Sequence, residues 1–119
     1  MTISRFEDLD VWQAAHRLAL SVYRLTEAFP QKEMYGLALQ MRRAAVSVPS
    51  NIAEGFGRAG KREKIQFYNI AQGSLSELRY YCLLSKDLGY INDNSEQLEA
   101  CNHIARMLQS LMGRIRERP

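Results

Sequence analysis

Apolar residues recur at alternating steps of three and four along almost the whole chain. That spacing stacks side chains on one face of a helix. Trp12, Ala15, Ala19, Val22, Thr26 and Phe29 form a first stripe, and Leu37, Met41, Ala44, Val48, Ile52 and Gly55 a second. Phe67, Ala71, Ser74, Leu78, Tyr81, Ser85 and Leu88 form a third, widened by Leu75 and Cys82. Leu98, Cys101, Ala105, Leu108, Met112 and Ile115 form a fourth. Pro30, Gly57–Gly60 and Gly89–Asn94 punctuate the chain between them. No segment alternates as a half-buried strand does. The pattern predicts an all-α chain with helices over about 8–29, 33–56, 61–88 and 95–117, each roughly 30–40 Å long. Connections this short make neighbours antiparallel, so residues 1–119 are expected to form one domain, an up-down-up-down four-helix bundle.

Local chemistry refines the ends. Ser4 with Glu7 and Asp93 with Glu96 have capping-box spacing, with Ser95 an alternative cap for the fourth helix. Gly89 is placed to close the third helix in the left-handed conformation. Pro49 lies inside the second pattern, where it removes a backbone donor and presses on the carbonyl of Ala45. Either the helix bends there, or it breaks and Ser47 or Ser50 caps a new one.

Composition adds little to the fold but narrows the class. Apolar residues make up 46% and charged residues 24%, ordinary globular usage that supplies one sizeable core. No stretch approaches the ~18 uninterrupted apolar residues of a membrane span. No charged start leads into an apolar run, so no signal peptide is expected and the cytoplasm is the expected compartment. Net charge is +3, a weak bias whose distribution says more. Residues 1–33 carry net −1, 34–64 net +4, 65–99 net −3 and 100–119 net +3. Such asymmetry can seat an acidic partner or draw subunits together; it also fits ordinary solvated helix faces.

Tyr80–Tyr81–Cys82–Leu83–Leu84 is apolar on every side of a helix, whereas a monomeric bundle buries one stripe. The surplus, with Ala44–Ala45–Val46 as a second hint, predicts an oligomer with Tyr80 and Leu83 at the subunit interface. Isolated surface apolar residues are the competing explanation.

Catalytic constellations are hard to build from this sequence. His16 and His103 belong to no Glu-x-x-His pair, and there is no His-Glu-x-x-His or Cys-x-x-Cys motif. No enzyme activity, metal or cofactor is expected. Cys82 and Cys101 lie on apolar stripes and read as reduced core thiols. The more informative feature is a polar stripe on the second helix, Arg43, Ser47, Ser50, Glu54 and Arg58, with Arg42 beside it. Arg58, Lys61, Arg62 and Lys64 then crowd the start of the third helix, where the helix dipole favours anions rather than cations. A basic helix start can hold phosphates, and Phe56, Phe67 and Tyr68 could stack on bases. Core aromatics beside solvated cations are the alternative.

Phe6-Glu7-Asp8-Leu9, Val11-Trp12-Gln13, Phe29-Pro30 and Gly36-Leu37 resemble the first half of the bacterial 23S rRNA-intervening-sequence proteins. The run from Gln40 to Gly55, with Ala44-Ala45-Val46-Ser47-Val48-Pro49-Ser50-Asn51-Ile52-Ala53-Glu54 inside it, is the strongest stretch. Gly57-Arg58, Ile70-Ala71-Gln72-Gly73-Ser74 and Glu77-Leu78 continue it, so the resemblance covers about residues 6–91. Where that family often has Ser or Thr at the cap of the third helix, this chain has Gly60. The resemblance implies a four-helix bundle assembled as a homopentameric ring, without enzymatic activity. The chain is also similar to the accessory protein of diversity-generating retroelements, a pentameric barrel that binds nucleic acid and a reverse transcriptase through basic surfaces. Two functional expectations follow. In the first, the protein binds RNA or DNA, structured RNA foremost, through Arg42, Arg43, Arg58, Lys61, Arg62 and Lys64. In the second, it is a scaffold that docks a protein partner, with Arg43 and Glu54 in contacts between subunits.

Overall fold

The computed structural model describes residues 2–119. Four helices account for most of the chain: α1 (Asp10–Thr26), α2 (Leu37–Phe56), α3 (Lys61–Asp87) and α4 (Ser95–Glu117). Short 3-10 turns at Phe6–Asp8 and Gln31–Glu33 precede α1 and α2, and there is no strand among the described residues. The body measures 50 × 23 × 21 Å. Each helix packs on its neighbours in the chain, and α1 also packs on α4, so the four axes enclose one core. Val22, Met41, Val48, Ile52, Tyr68, Leu78, Ile104 and Leu108 lie at its centre. Burying an aliphatic side chain of this kind contributes about 1.5–3 kcal/mol.

The first two helices begin later than periodicity predicts. Phe6–Asp8 turns tightly, and Glu7 pairs with Arg5 at 2.8 Å instead of closing a capping box with Ser4. Gln13 Nε2 ties that turn down by donating to the Glu7 carbonyl (2.9 Å). After α1, Pro30 disfavours helical backbone at the residue before it; Phe29 stays buried but lies beyond the helix. Glu33 then supplies the start of α2, its Oε1 accepting the Leu37 amide at 3.1 Å while its Oε2 accepts the Tyr90 hydroxyl at 2.8 Å. At α4 the expected Asp93–Glu96 box does not form: Asn94 is the cap residue, and the Asp93 carboxylate instead accepts the Ser95 amide two residues on (2.9 Å).

Gly89 closes α3 as expected. Its φ is +81°, and the Tyr90 amide reaches the Ser85 carbonyl while the Gly89 amide reaches that of Lys86, the paired bonds of a Schellman motif. Pro49 does not break α2, which runs unbroken from Leu37 to Phe56. Side chains just after the proline supply local donors: Ser50 Oγ to the Val46 carbonyl (2.8 Å) and Asn51 Nδ2 to the Ser47 carbonyl (2.8 Å).

Three pairings fix α2 against α3. The Ser85 hydroxyl meets Met41 Sδ (3.3 Å), Ser47 bonds Ser74 (2.7 Å), and Gly55 lies against the Tyr68 ring. A Cβ on Gly55 would come within 2.7 Å of that ring, so the bare glycine permits the approach. Tyr68 is therefore a core residue, 2% exposed, and is removed from any base-stacking role.

A basic end and its candidate nucleic-acid interface

The turn between α2 and α3 lies beside the last turn of α4. Lys61 Nζ makes the link, donating to the Arg116 carbonyl (3.4 Å) and to that of Arg118. The two basic quarters of the sequence thus meet at one end of the molecule. Residues 57–64 and 114–119 contribute seven Lys or Arg side chains there against two Glu. The 3-10 turn and the start of α1 reach the same end, Phe6 beside Gly57 and Asp10 beside Arg114, and with Glu54 they add Glu7, Asp8, Asp10 and Arg5, so the cations there are interleaved with carboxylates. At the other end, Tyr90 joins the 88–94 connection to the 27–36 connection, through its hydroxyl bond to Glu33 and its ring against Phe29 (5.4 Å). Residues 27–36 and 86–96 carry five acidic side chains against two basic ones. The molecule is charged positively at one end and negatively at the other.

The basic side chains are not equivalent. Lys64 Nζ donates to the carbonyls of Phe56 (2.8 Å) and Gly55 (3.2 Å), satisfying the C-terminus of α2. Burial, then the nearby charge of Arg118, holds its pKa below the ordinary lysine value. Lys61 serves the α4 terminus in the same way. Arg58 pairs with Glu54 at 2.9 Å and lies over the Phe67 ring at 4.9 Å, while Lys64 lies 5.6 Å from the Phe56 ring centre. The chain's own cations therefore cover the two phenylalanines expected to meet bases. Arg62, Arg114 and Arg116 make no ion pair among the described residues and remain exposed. These are the groups best placed to meet a phosphate.

The six expected contacts divide. Arg58, Lys61, Arg62 and Lys64 share the basic end, whereas Arg42 and Arg43 lie about 24 Å back along α2. Arg42 Nε donates to Thr26 Oγ1 (2.8 Å), and its guanidinium covers Tyr23 (4.8 Å), joining α2 to α1. Arg43 is exposed. Glu54, expected near Arg43 of another subunit, is engaged by Arg58 of its own chain. Tyr80 and Leu83 are exposed, 57% and 37%, and Val46 and Ile70 add further uncovered apolar surface on α2 and α3. Arg114, Arg116 and Arg118 are absent from the six residues singled out by sequence; the +3 balance of residues 100–119 was their signal.

The remaining reactive side chains are inert or peripheral. Cys82 and Cys101 are buried free thiols; burial pushes them up to about 11 and about 12, with Cys82 adding to the shift of Cys101. His16 stacks on Trp12 at 5.0 Å in an exposed position. Among the described residues no group of three or more His, Cys, Asp or Glu side chains gathers as a metal site would require. Among the described residues no helix is long and apolar enough to cross a membrane.

Fold and surface together define a four-helix, all-α protein whose one end gathers exposed arginines that make no ion pair among the described residues. The profile of the 23S rRNA-intervening sequence protein family matches residues 7–110, and the chain belongs to that family. Among solved structures it is similar to a protein of unknown function from the S23 ribosomal protein family of Bacteroides thetaiotaomicron. The two share 20% identity over 86% of this chain and 97% of the other, with a TM-score of 0.77, a likeness of fold. No curated protein matches.

Proposed function

We propose that this protein is a non-enzymatic, homo-oligomeric nucleic-acid-binding protein, with structured RNA its foremost ligand. The observation that carries the reading is the convergence of two basic segments, distant in sequence, at one end of the molecule. Helix propensity alone does not account for it, since cations crowd the start of α3 against its dipole. The family description, which names an intervening sequence of 23S rRNA, is a weak pointer in the same direction. Each chain is an up-down-up-down antiparallel bundle in this reading; the α2–α3 pairings, 41 with 85, 47 with 74 and 55 with 68, support it. The exposed Tyr80, Leu83 and Val46 supply the surface for assembly into a ring of five in the cytoplasm, similar to the retroelement accessory protein. A ring repeats the basic end, so contacts that are weak singly act together.

Replacing Arg62, Arg114 and Arg116 by Ala tests this without touching the lysines that cap α2 and α4. Binding of labelled RNA, followed by fluorescence anisotropy against salt, should weaken. The slope of log affinity against log salt should fall by about 2–3, since each neutralised phosphate contributes about 0.7–0.9. Sedimentation should show an unchanged oligomer. Absence of binding by the unmodified protein at ~50 mM salt, where phosphate contacts are strongest, favours the second reading, a scaffold for a protein partner.

A further inference from the structure

The groove between α3 and α4 opens directly from the basic end, and its lining is unusual. Asn69, Gln72, Gln109 and Arg116 surround a depression of about 450 Å³ floored by Met112. Asn69 also lines an adjoining depression of about 580 Å³ on α3, whose basic member is Arg62. Farther along, Arg79 Nε donates to Asn102 Oδ1 (3.3 Å) across the same two helices. None of these lining residues is a carboxylate. Gln72 is held by its Nε2, which donates to the Ala105 carbonyl at 2.9 Å and leaves its Oε1 without a protein donor among the described residues. Asn69 and Gln109 are exposed and make no side-chain hydrogen bond among the described residues. Three amides between arginines, two of them without an internal partner, differ in kind from the basic end, where charged side chains predominate.

We infer that the α3–α4 groove is a track for one unpaired strand of nucleic acid, whose bases meet Asn69, Gln72 and Gln109 while Arg62 and Arg116 hold its phosphates. This rests on the nucleic-acid reading above and names the form of ligand. The amide of Asn or Gln offers a donor and an acceptor side by side, the pattern that pairs with a base edge. Base edges are open to such contacts in single strands, loops and bulges, where sequence-specific RNA recognition concentrates. Arg79, anchored by Asn102, presents a planar cation of the kind on which an unstacked base can lie.

The test compares a mixed-sequence single-stranded oligoribonucleotide with the same sequence as a duplex, by anisotropy on the intact chain. The unmodified protein should prefer the single strand. The Asn69→Ala/Gln109→Ala variant keeps every charge and every internal hydrogen bond, so its melting temperature and salt slope should not change. Its single-strand affinity should drop at least about fivefold, the low end for losing a base contact, with duplex binding unaltered. Gln109→Glu, near-isosteric but anionic, should weaken the single strand further. An unchanged single-strand to duplex ratio in both variants overturns the inference while leaving the basic end as the binding site. Loss of binding on removing Arg62, Arg114 and Arg116, with no effect of the amide substitutions, has the same meaning. Failure of the unmodified protein to bind either probe overturns both readings.

Discussion

Replacing Gly55 by Ala and, separately, Gly73 by Ala makes the same chemical change at two helical positions with opposite surroundings. In a helix interior, Gly to Ala is worth about 0.8–1 kcal/mol in favour of the folded state. At Gly73 a new Cβ meets nothing within 4 Å, so that gain should appear in full. At Gly55 the Cβ would lie 2.7, 3.0 and 3.1 Å from three carbons of the Tyr68 ring. That ring is 2% exposed and has little room to retreat. Overpacking of this kind costs about 1–3 kcal/mol, and three carbons at such distances call for the upper half of the range. Gly55→Ala should therefore be destabilised by about 1–2 kcal/mol net, placing the two variants about 2–3 kcal/mol apart. Urea unfolding at one fixed protein concentration measures the difference, since assembly makes stability concentration-dependent. Gly113→Ala, also open within 4 Å, serves as a second reference should an alanine at Gly73 meet a neighbouring subunit. Equal stability of Gly55→Ala and Gly113→Ala would refute the reasoning. Pairing Gly55→Ala with Tyr68→Leu should recover part of the loss, because contacting sites are non-additive.

Cys82 and Cys101 should resist a thiol reagent at neutral pH until the chain unfolds, because burial both screens them and raises their pKa values; rapid native-state labelling would contradict their placement. Glu33 has its carboxyl held below the ordinary value by the Leu37 amide, then the Tyr90 hydroxyl. Its folded pKa lies below the unfolded one, so its contribution is complete above the ordinary glutamate pKa and is lost as pH falls through it toward the lowered one. The stability gap between the native chain and Glu33→Gln should therefore close on acidification, as followed by thermal melts across pH. Lys64→Ala should cost about 1 kcal/mol of stability, the low end for a charged donor that remains partly exposed, and should leave the salt slope of RNA binding nearly unchanged; a fall of about 0.7–0.9 in that slope would mean that Lys64 meets phosphate after all.

Periodicity located the four helices because each has an apolar stripe, but it could not choose between neighbouring registers. On α3, Phe67, Ala71, Ser74, Leu78 and Tyr81 and the alternative Tyr68, Ala71, Leu75, Leu78 and Cys82 both step by three and four. The second is the buried set. What decides it is the bare surface of Gly55 on another helix, a tertiary fact that no window along α3 contains. The late starts of α1 and α2 have a similar cause: Glu7 and Glu33 bond to Arg5 and Tyr90, partners that spacing rules do not see. The basic end was half legible. The cluster from Arg58 to Lys64 stood out, but Lys61 and Lys64 turned toward helix carbonyls, and the arginines that complete the surface come from the last turn of α4. Only the packing of that turn against the start of α3 brings the two segments together.

The order in which the helices touch has a kinetic consequence. Three of the four interfaces join consecutive helices, closed by connections as short as residues 57–60. Only the α1–α4 seam joins the two ends of the chain. Local interfaces of this kind form quickly, because little loop entropy is lost before contacts begin to stabilise them. The α1–α4 seam joins the helices farthest apart in sequence, and among the described residues its cross-helix hydrogen bond, Gln97 to Ser21, is long at 3.5 Å. An opening along this seam leaves α2, α3 and the α2–α3 turn joined. The cluster from Arg58 to Lys64 and the Gly55–Tyr68 contact lie on the part that persists, so the chain can breathe along one edge without dissolving the surface it presents to a polyanion.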